Sequence, residues 1–149
     1  EKKGINKKLS HFALIKKKPI LGICLGMHLM MESSQEANQT SKGLGWLKGN
    51  VYKNLYKKNT YLNVGWKYVS PLKNIKNRTL KKVTSDYFYF DHSFSLDKSS
   101  EAITALTRRT SIPAIVVKEN LLGVQFHPEK SHDAGKIFIK YFLERFNLI

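Results

Sequence analysis

The segment Pro19-Ile20-Leu21-Gly22-Ile23 constrains the fold most, because it is a compact apolar run entered through proline and followed at once by a helical pattern. Such a run reads as a buried parallel strand, and a parallel sheet needs helices over its faces. Leu25 to Glu32 is predicted to be the helix that follows, which puts Cys24 at the strand-to-helix junction. Upstream, Ile5, Leu9 and Phe12 fall at helical spacing until Pro19 ends the pattern. Ser33 to Ser41 reads as a polar loop, continued irregularly through Gly43 and Gly45. Strands are then predicted at Gly49 to Tyr56, Tyr61 to Val69, Tyr87 to Phe94, Ile103 to Arg108 and Ile112 to Val117. A tight turn at Glu119-Asn120 leads into Leu121 to Phe126. Ala134, Ile137, Phe138, Tyr141, Phe142 and Phe146 form one apolar stripe of a closing helix, with Ser131-His132-Asp133 placed to cap it. This order predicts an α/β open sheet with flanking helices and an antiparallel extension. A buried first strand needs neighbours on both sides and little precedes it, so the sheet is expected to be incomplete and Glu1 to begin inside the domain.

The 149 residues, 42% of them hydrophobic, fit one packed domain over 1–149. No apolar run approaches the roughly 20 residues that cross a bilayer, and the start EKKGINKK has no apolar signal segment. A lone cysteine agrees with a reducing compartment, and the expected location is cytoplasmic. The +15 net charge is carried mostly by lysines spread along the chain; Arg78, Arg108, Arg109 and Arg145 are the arginines. Base readout and bidentate phosphate contacts favour arginine, so a solvated lysine-rich surface is preferred to a nucleic-acid module, and no nucleic-acid or membrane partner is expected.

Gly22-Ile23-Cys24-Leu25-Gly26 has the form G-x-C-x-G, the thiol counterpart of a nucleophile elbow, in which small flanking residues permit a sharp turn that projects the central side chain. The helix start beyond it favours a thiolate. A cysteine in an apolar run is as readily a small core residue, so the elbow alone leaves both roles open. The second element is Gly123-Val124-Gln125-Phe126-His127-Pro128-Glu129-Lys130-Ser131. A thiol nucleophile needs a base, and the base needs a carboxylate to fix its tautomer; Cys24, His127 and Glu129 supply those roles. No metal-ligand spacing is present among the five histidines and no cofactor is expected.

GICLGMH together with GVQFHPEKS resembles the class I glutamine amidotransferases, in which an elbow cysteine and an H-P-E segment recur in this order. Tyr87 to Phe94, Val64-Gly65-Trp66 and the H-P-E-K-S ending are most similar to the glutaminase subunit of imidazole glycerol phosphate synthase. The resemblance spans essentially the whole chain and implies the flavodoxin-like fold of that family, truncated at the N-terminus. It implies that Cys24 attacks the side-chain amide of glutamine, that His127 shuttles the proton and that Glu129 orients His127. The backbone N–H of Leu25 is one implied oxyanion donor, while the glycine loop that supplies the other has no counterpart here. Substrate contacts are implied for Gly26, His28, Glu36, His92, Ser93 and Phe94, with Glu36 meeting the α-amino group. Two positions depart from the family: His28 stands where glutamine is usual and Phe94 where tyrosine is common. Trp66 matches an interface tryptophan, and the implied partner is a synthase (cyclase) subunit forming a heterodimer in histidine biosynthesis. The same chemistry feeding a paralogous synthase that amidates a cell-surface sugar is the near alternative, and a non-catalytic remnant or interaction subunit is the alternative of another class.

Overall fold

The computed structural model describes residues 2–36, 39–56 and 59–149. Glu1 and the middle of the predicted Ser33 to Ser41 loop, residues 37 and 38, lie outside the described residues. Helix α1 (Lys2–Ser10) runs into a wider turn over His11–Ile15, in which the Lys16 N–H reaches the His11 carbonyl at 2.9 Å. Strand β1 (Ile20–Ile23) and helix α2 (Leu25–Met30) follow as predicted. Next come β2 (Ser33–Ser34), β3 (Ser41–Lys42), β4 (Asn50–Lys53), β5 (Leu55–Tyr56), β6 (Asn59–Thr60), β7 (Asn63–Pro71) and helix α3 (Arg78–Thr84). The predicted Tyr87 to Phe94 strand breaks at Ser93 into β8 (Tyr87–His92) and β9 (Phe94–Leu96). β10 (Ile103–Thr107), β11 (Pro113–Lys118), β12 (Leu121–Val124), a 3₁₀ turn at Pro128–Lys130 and helix α4 (His132–Arg145) complete the chain.

The main sheet has the order β1-β12-β11-β10-β7-β8. Only β1 and β12 are parallel within it; every other neighbouring pair is antiparallel. A second sheet, β3-β2-β4-β9, lies beside it. The expectation of an incomplete sheet agrees with the described strands: β1 is an edge that pairs with β12 alone, and within it only Gly22 is fully buried.

Both faces of the central strands are covered, which explains why β11 and β12 read as continuous apolar runs instead of alternating. Ile115, Leu122 and Val124 face α3 and α4 together with Phe88, Phe126, Phe138 and Phe142. Val116 and Leu121 face α2 and the second sheet together with Met27, Met30, Trp46 and Val51. The aromatic stack Phe88–Phe126, with centroids 4.0 Å apart, fixes α4 to the sheet through Phe138, 5.3 Å from Phe126. Of the predicted stripe on α4, Phe138, Tyr141 and Phe142 are buried but Ile137 is exposed, because the helix turns its edge toward solvent there. Among the N-terminal residues whose burial is described, only Ala13 is buried; Ile5, Leu9 and Phe12 are exposed, so the helix forms where predicted while its apolar stripe lies outside the described core.

The Glu119-Asn120 turn forms, with Glu119 at φ 52°. Asn120 clasps the N-terminal segment to the sheet by donating from Nδ2 to the carbonyls of Ala13 (2.9 Å) and Lys18 (2.8 Å). Helix α3 was absent from the sequence reading. It is short and lysine-rich, and is held by an Asn77 side-chain cap on the Leu80 N–H at 2.8 Å.

Candidate active site

The register Ile23↔Val124 and a bond from the Cys24 N–H to the Val124 carbonyl at 2.7 Å bring the elbow and the H-P-E segment to the same end of two adjacent parallel strands. Parallel neighbours lie about 4.8 Å apart, so residues that leave these strands at their carboxyl ends share one crevice. Cys24 itself adopts φ 48°, ψ −105°, a conformation that side-chain-bearing residues rarely take and that persists only when the surroundings enforce it. Gly22 makes the turn possible: a Cβ there would sit 2.8 Å from the Gly26 backbone. At Gly26 an added Cβ would meet nothing within 4 Å, so the turn itself does not demand glycine there.

His127 Nδ1 faces Glu129 Oε1 at 2.6 Å, which leaves Nε2 as the ring nitrogen available for proton transfer. The backbone of His127 is pinned from two sides. Its N–H donates to the Tyr89 carbonyl (2.9 Å), and its carbonyl accepts from the Ser131 hydroxyl (2.6 Å). The same hydroxyl accepts from the Tyr89 N–H (3.0 Å). Of the expected capping segment Ser131-His132-Asp133, Ser131 is the N-cap residue, but its side chain makes no cap bond and ties the H-P-E turn to β8.

Burial pushes the Cys24 thiol above its ordinary range, and the Glu36 carboxylate adds to that; the Leu25 N–H and the Gln125 amide pull in the opposite direction. Leu25, the implied oxyanion donor, thus presents its N–H at the sulfur, while its side chain is exposed. Gln125 Nε2 donates to Cys24 Sγ at 3.7 Å. Gln125 was quoted in the motif but given no role; the signal for it was a polar residue inside the otherwise apolar run Leu121 to Phe126.

Among the implied substrate contacts, His28 is fully buried, with Nδ1 2.9 Å from Glu36 Oε2 and Nε2 2.8 Å from Gln125 Oε1. The hydrogen bond to His28 holds the Glu36 carboxyl below its usual range. A cavity of about 390 Å³ opens here between Leu25, His28, Ser34, Glu36 and Lys42, within the size range of small-molecule sites. The His92 ring points inward: Nδ1–H donates to the Phe94 carbonyl (2.7 Å) and Nε2 accepts from Asn63 Nδ2 (2.6 Å). The Ser93 carbonyl accepts from the Asn54 N–H at 2.7 Å, so Ser93 and Phe94 form a braced corner between β8 and β9. Trp66 stands apart from this crevice on β7, half-exposed, stacked on the His132 ring at 5.3 Å and edge-on to Tyr89 at 6.0 Å.

Comparison with known proteins agrees with this arrangement. The chain is 35% identical over 145 residues to the imidazole glycerol phosphate synthase subunit HisH of Leptospira interrogans, covering 93% of this chain and 70% of that one. It is 42% identical over 137 residues to the HisH subunit of Caldanaerobacter subterraneus subsp. tengcongensis, covering 87% and 63% respectively. A crystal structure of a glutamine amidotransferase shares the fold at a TM-score of 0.69 and 18% identity, over 97% of this chain and 69% of the other. Residues 2–145 match the family described as glutamine amidotransferase class-I. An elbow cysteine beside an H-P-E turn, on a fold shared with a solved amidotransferase and in a sequence whose residues 2–145 match the family, makes this chain a member of the class I glutamine amidotransferases.

Proposed function

We propose that the chain is the glutamine-hydrolysing subunit of a synthase that makes imidazole glycerol phosphate, working in the cytoplasm. The observation that carries this reading is the shared strand end of Cys24 and the His127–Glu129 pair, in a chain 35% identical to a HisH subunit. Glutamine enters the crevice with its side-chain amide at Cys24. His127 Nε2 takes the thiol proton and the sulfur attacks the amide carbon, giving a tetrahedral oxyanion near the Leu25 N–H. The C–N bond then breaks as His127 returns the proton to nitrogen, releasing ammonia and leaving a glutamyl thioester on Cys24. Water, deprotonated by His127, cleaves the thioester to glutamate and restores the thiol. Glu129 holds the His127 tautomer throughout. Gly26, His28 and Glu36 line the substrate side, with Ser93 and the backbone of His92 and Phe94 opposite. Supporting the reading, the cavity beside Leu25 and Glu36 has room for an amino acid.

Ammonia passes to a synthase subunit docked against Trp66. This tryptophan borders a groove of about 540 Å³ whose other walls include Lys67, Tyr87, Arg108 and Arg109, a cationic and aromatic surface suited to a partner with acidic side chains. Incubation with a glutamine-like electrophile such as a diazoketone is expected to add one adduct, mapped to Cys24 by mass spectrometry and absent from Cys24→Ala. With the synthase subunit present, Cys24→Ala is expected to lower glutamate release by about 10³-fold or more. A parent chain that takes no adduct and releases no glutamate in the reconstituted complex defeats the reading. Glutamate release without transfer of ammonia to the imidazole-forming step assigns the chain to a different synthase.

A further inference from the structure

Two fully buried polar side chains, His28 and Gln125, lie between the Glu36 carboxylate and the Cys24 sulfur, and the three-residue cycle assigned above uses neither. Each is fully buried, where an unpaired polar group costs about 1–3 kcal/mol. Both are paired, and the pairing forms an unbroken line: Glu36 Oε2 to His28 Nδ1 at 2.9 Å, His28 Nε2 to Gln125 Oε1 at 2.8 Å, and Gln125 Nε2 to Cys24 Sγ at 3.7 Å. We propose that Glu36, His28 and Gln125 are positioning residues, a second carboxylate–histidine pair that acts through the Gln125 amide to keep a hydrogen-bond donor on the Cys24 sulfur, which favours the thiolate as His127 takes the proton.

The direction of the amide is what matters. A primary amide is donor at one end and acceptor at the other. While His28 Nε2 carries hydrogen, Gln125 Oε1 turns toward the ring and its NH₂ toward the sulfur, where a donor favours the anion. If Nε2 loses that hydrogen, the amide is best satisfied the other way round, and the sulfur then meets a carbonyl oxygen that favours the neutral thiol. Glu36 at Nδ1 favours the doubly protonated ring, the one form that donates from Nδ1–H to the carboxylate and from Nε2–H to Gln125 at once. The charged and titratable groups around the sulfur are Glu36 from the loop after β2, Asp91 and His92 from β8, His28 from α2, and His127 after β12. Glu36 and Asp91 both raise the thiol directly, and the Gln125 donor opposes them. The relay therefore lets a carboxylate stand near the nucleophile while a hydrogen-bond donor, not the carboxylate, is what the sulfur touches.

The proposal rests on Cys24 as the nucleophile, and two measurements on the full chain separate the two ideas. The first is the pH dependence of Cys24 alkylation by iodoacetamide, read by intact mass. His28→Gln keeps an amide able to bond Gln125 but removes the ring that ties it to Glu36, and Gln125→Leu removes the donor. Each is expected to move the alkylation midpoint up by about one pH unit, slowing labelling about tenfold below it. The second measurement leaves the core intact: the ¹⁵N signals of the His28 ring are followed against pH in the parent and in Cys24→Ala. They are expected to step at the pH where Cys24 alkylation rises in the parent, and to lose that step in Cys24→Ala. Unchanged midpoints in folded variants, or a ring that passes through the thiol titration without a step, overturn the relay. Should both variants fail to fold, the ring signals decide alone. Diazoketone labelling that persists while the relay tests fail leaves the nucleophile reading standing; loss of labelling in the parent removes that reading and not the hydrogen-bonded line.

Discussion

His92 is held between a donor and an acceptor, Asn63 and the Phe94 carbonyl, at 5% exposure. Burial is the main reason that its pKa is pushed down to about 4 from 6.5, against the contrary pull of the Phe94 carbonyl. Between those two values the unfolded chain binds more protons than the folded one. The stabilisation is therefore complete above about pH 6.5 and is lost as the pH falls through that window toward 4. A displacement of this size corresponds to about 3 kcal/mol at most. Urea unfolding at pH 7 and pH 4.5 is expected to show that loss, and His92→Gln, which keeps an acceptor for Asn63, is expected to flatten the difference. An equally steep acid limb in the variant would assign it to the carboxylates instead. That His127 and Glu129 would face each other was legible in sequence, because it depends on local spacing. His28 and Gln125 were not paired in the reading because they lie 97 positions apart and meet only through the β1–β12 register.

The turn that carries His127 depends on how closely α4 approaches it. Gly135 lies over the Pro128 carbonyl so tightly that an added Cβ would fall 1.9 Å from that oxygen, with Ser131 Cβ at 3.1 Å. Gly135→Ala is expected to push the first turn of α4 off the 3₁₀ turn, costing about 2 kcal/mol or more, and to break the Ser131 hydroxyl's hold on His127 and Tyr89. Denaturant midpoints check the first effect, and slower glutamate release in the reconstituted complex checks the second. A variant as stable and active as the parent refutes both. The closing helix and the strand leading to His127 were readable from apolar periodicity and turn residues. The order of the strands and the split at Ser93 were not, because neighbours in the sheet come from remote segments and period-two patterning says nothing about which strand lies alongside.

At the scale of the molecule, a net charge of +15 works against compactness. The exposed pairs Lys17–Glu119, Lys136–Asp133 and Lys140–Glu144 are the kind that contribute little each. Raising salt from about 20 to 300 mM shortens the Debye length from about 20 to 6 Å, so self-repulsion is screened and the melting temperature is expected to rise by a few degrees. A fall in melting temperature would mean that the ion pairs outweigh the repulsion. No described helix is long and apolar enough to cross a membrane. The folded unit also has to enforce one conformation it would not choose. Cys24 stands at φ 48° where β1 passes into α2. A glycine at this position would relax the turn and leave a sturdier, inert chain. Position 24 is therefore a place where durability and reactivity are opposed, and the thiol persists there only while the rest of the fold is stable enough to carry it.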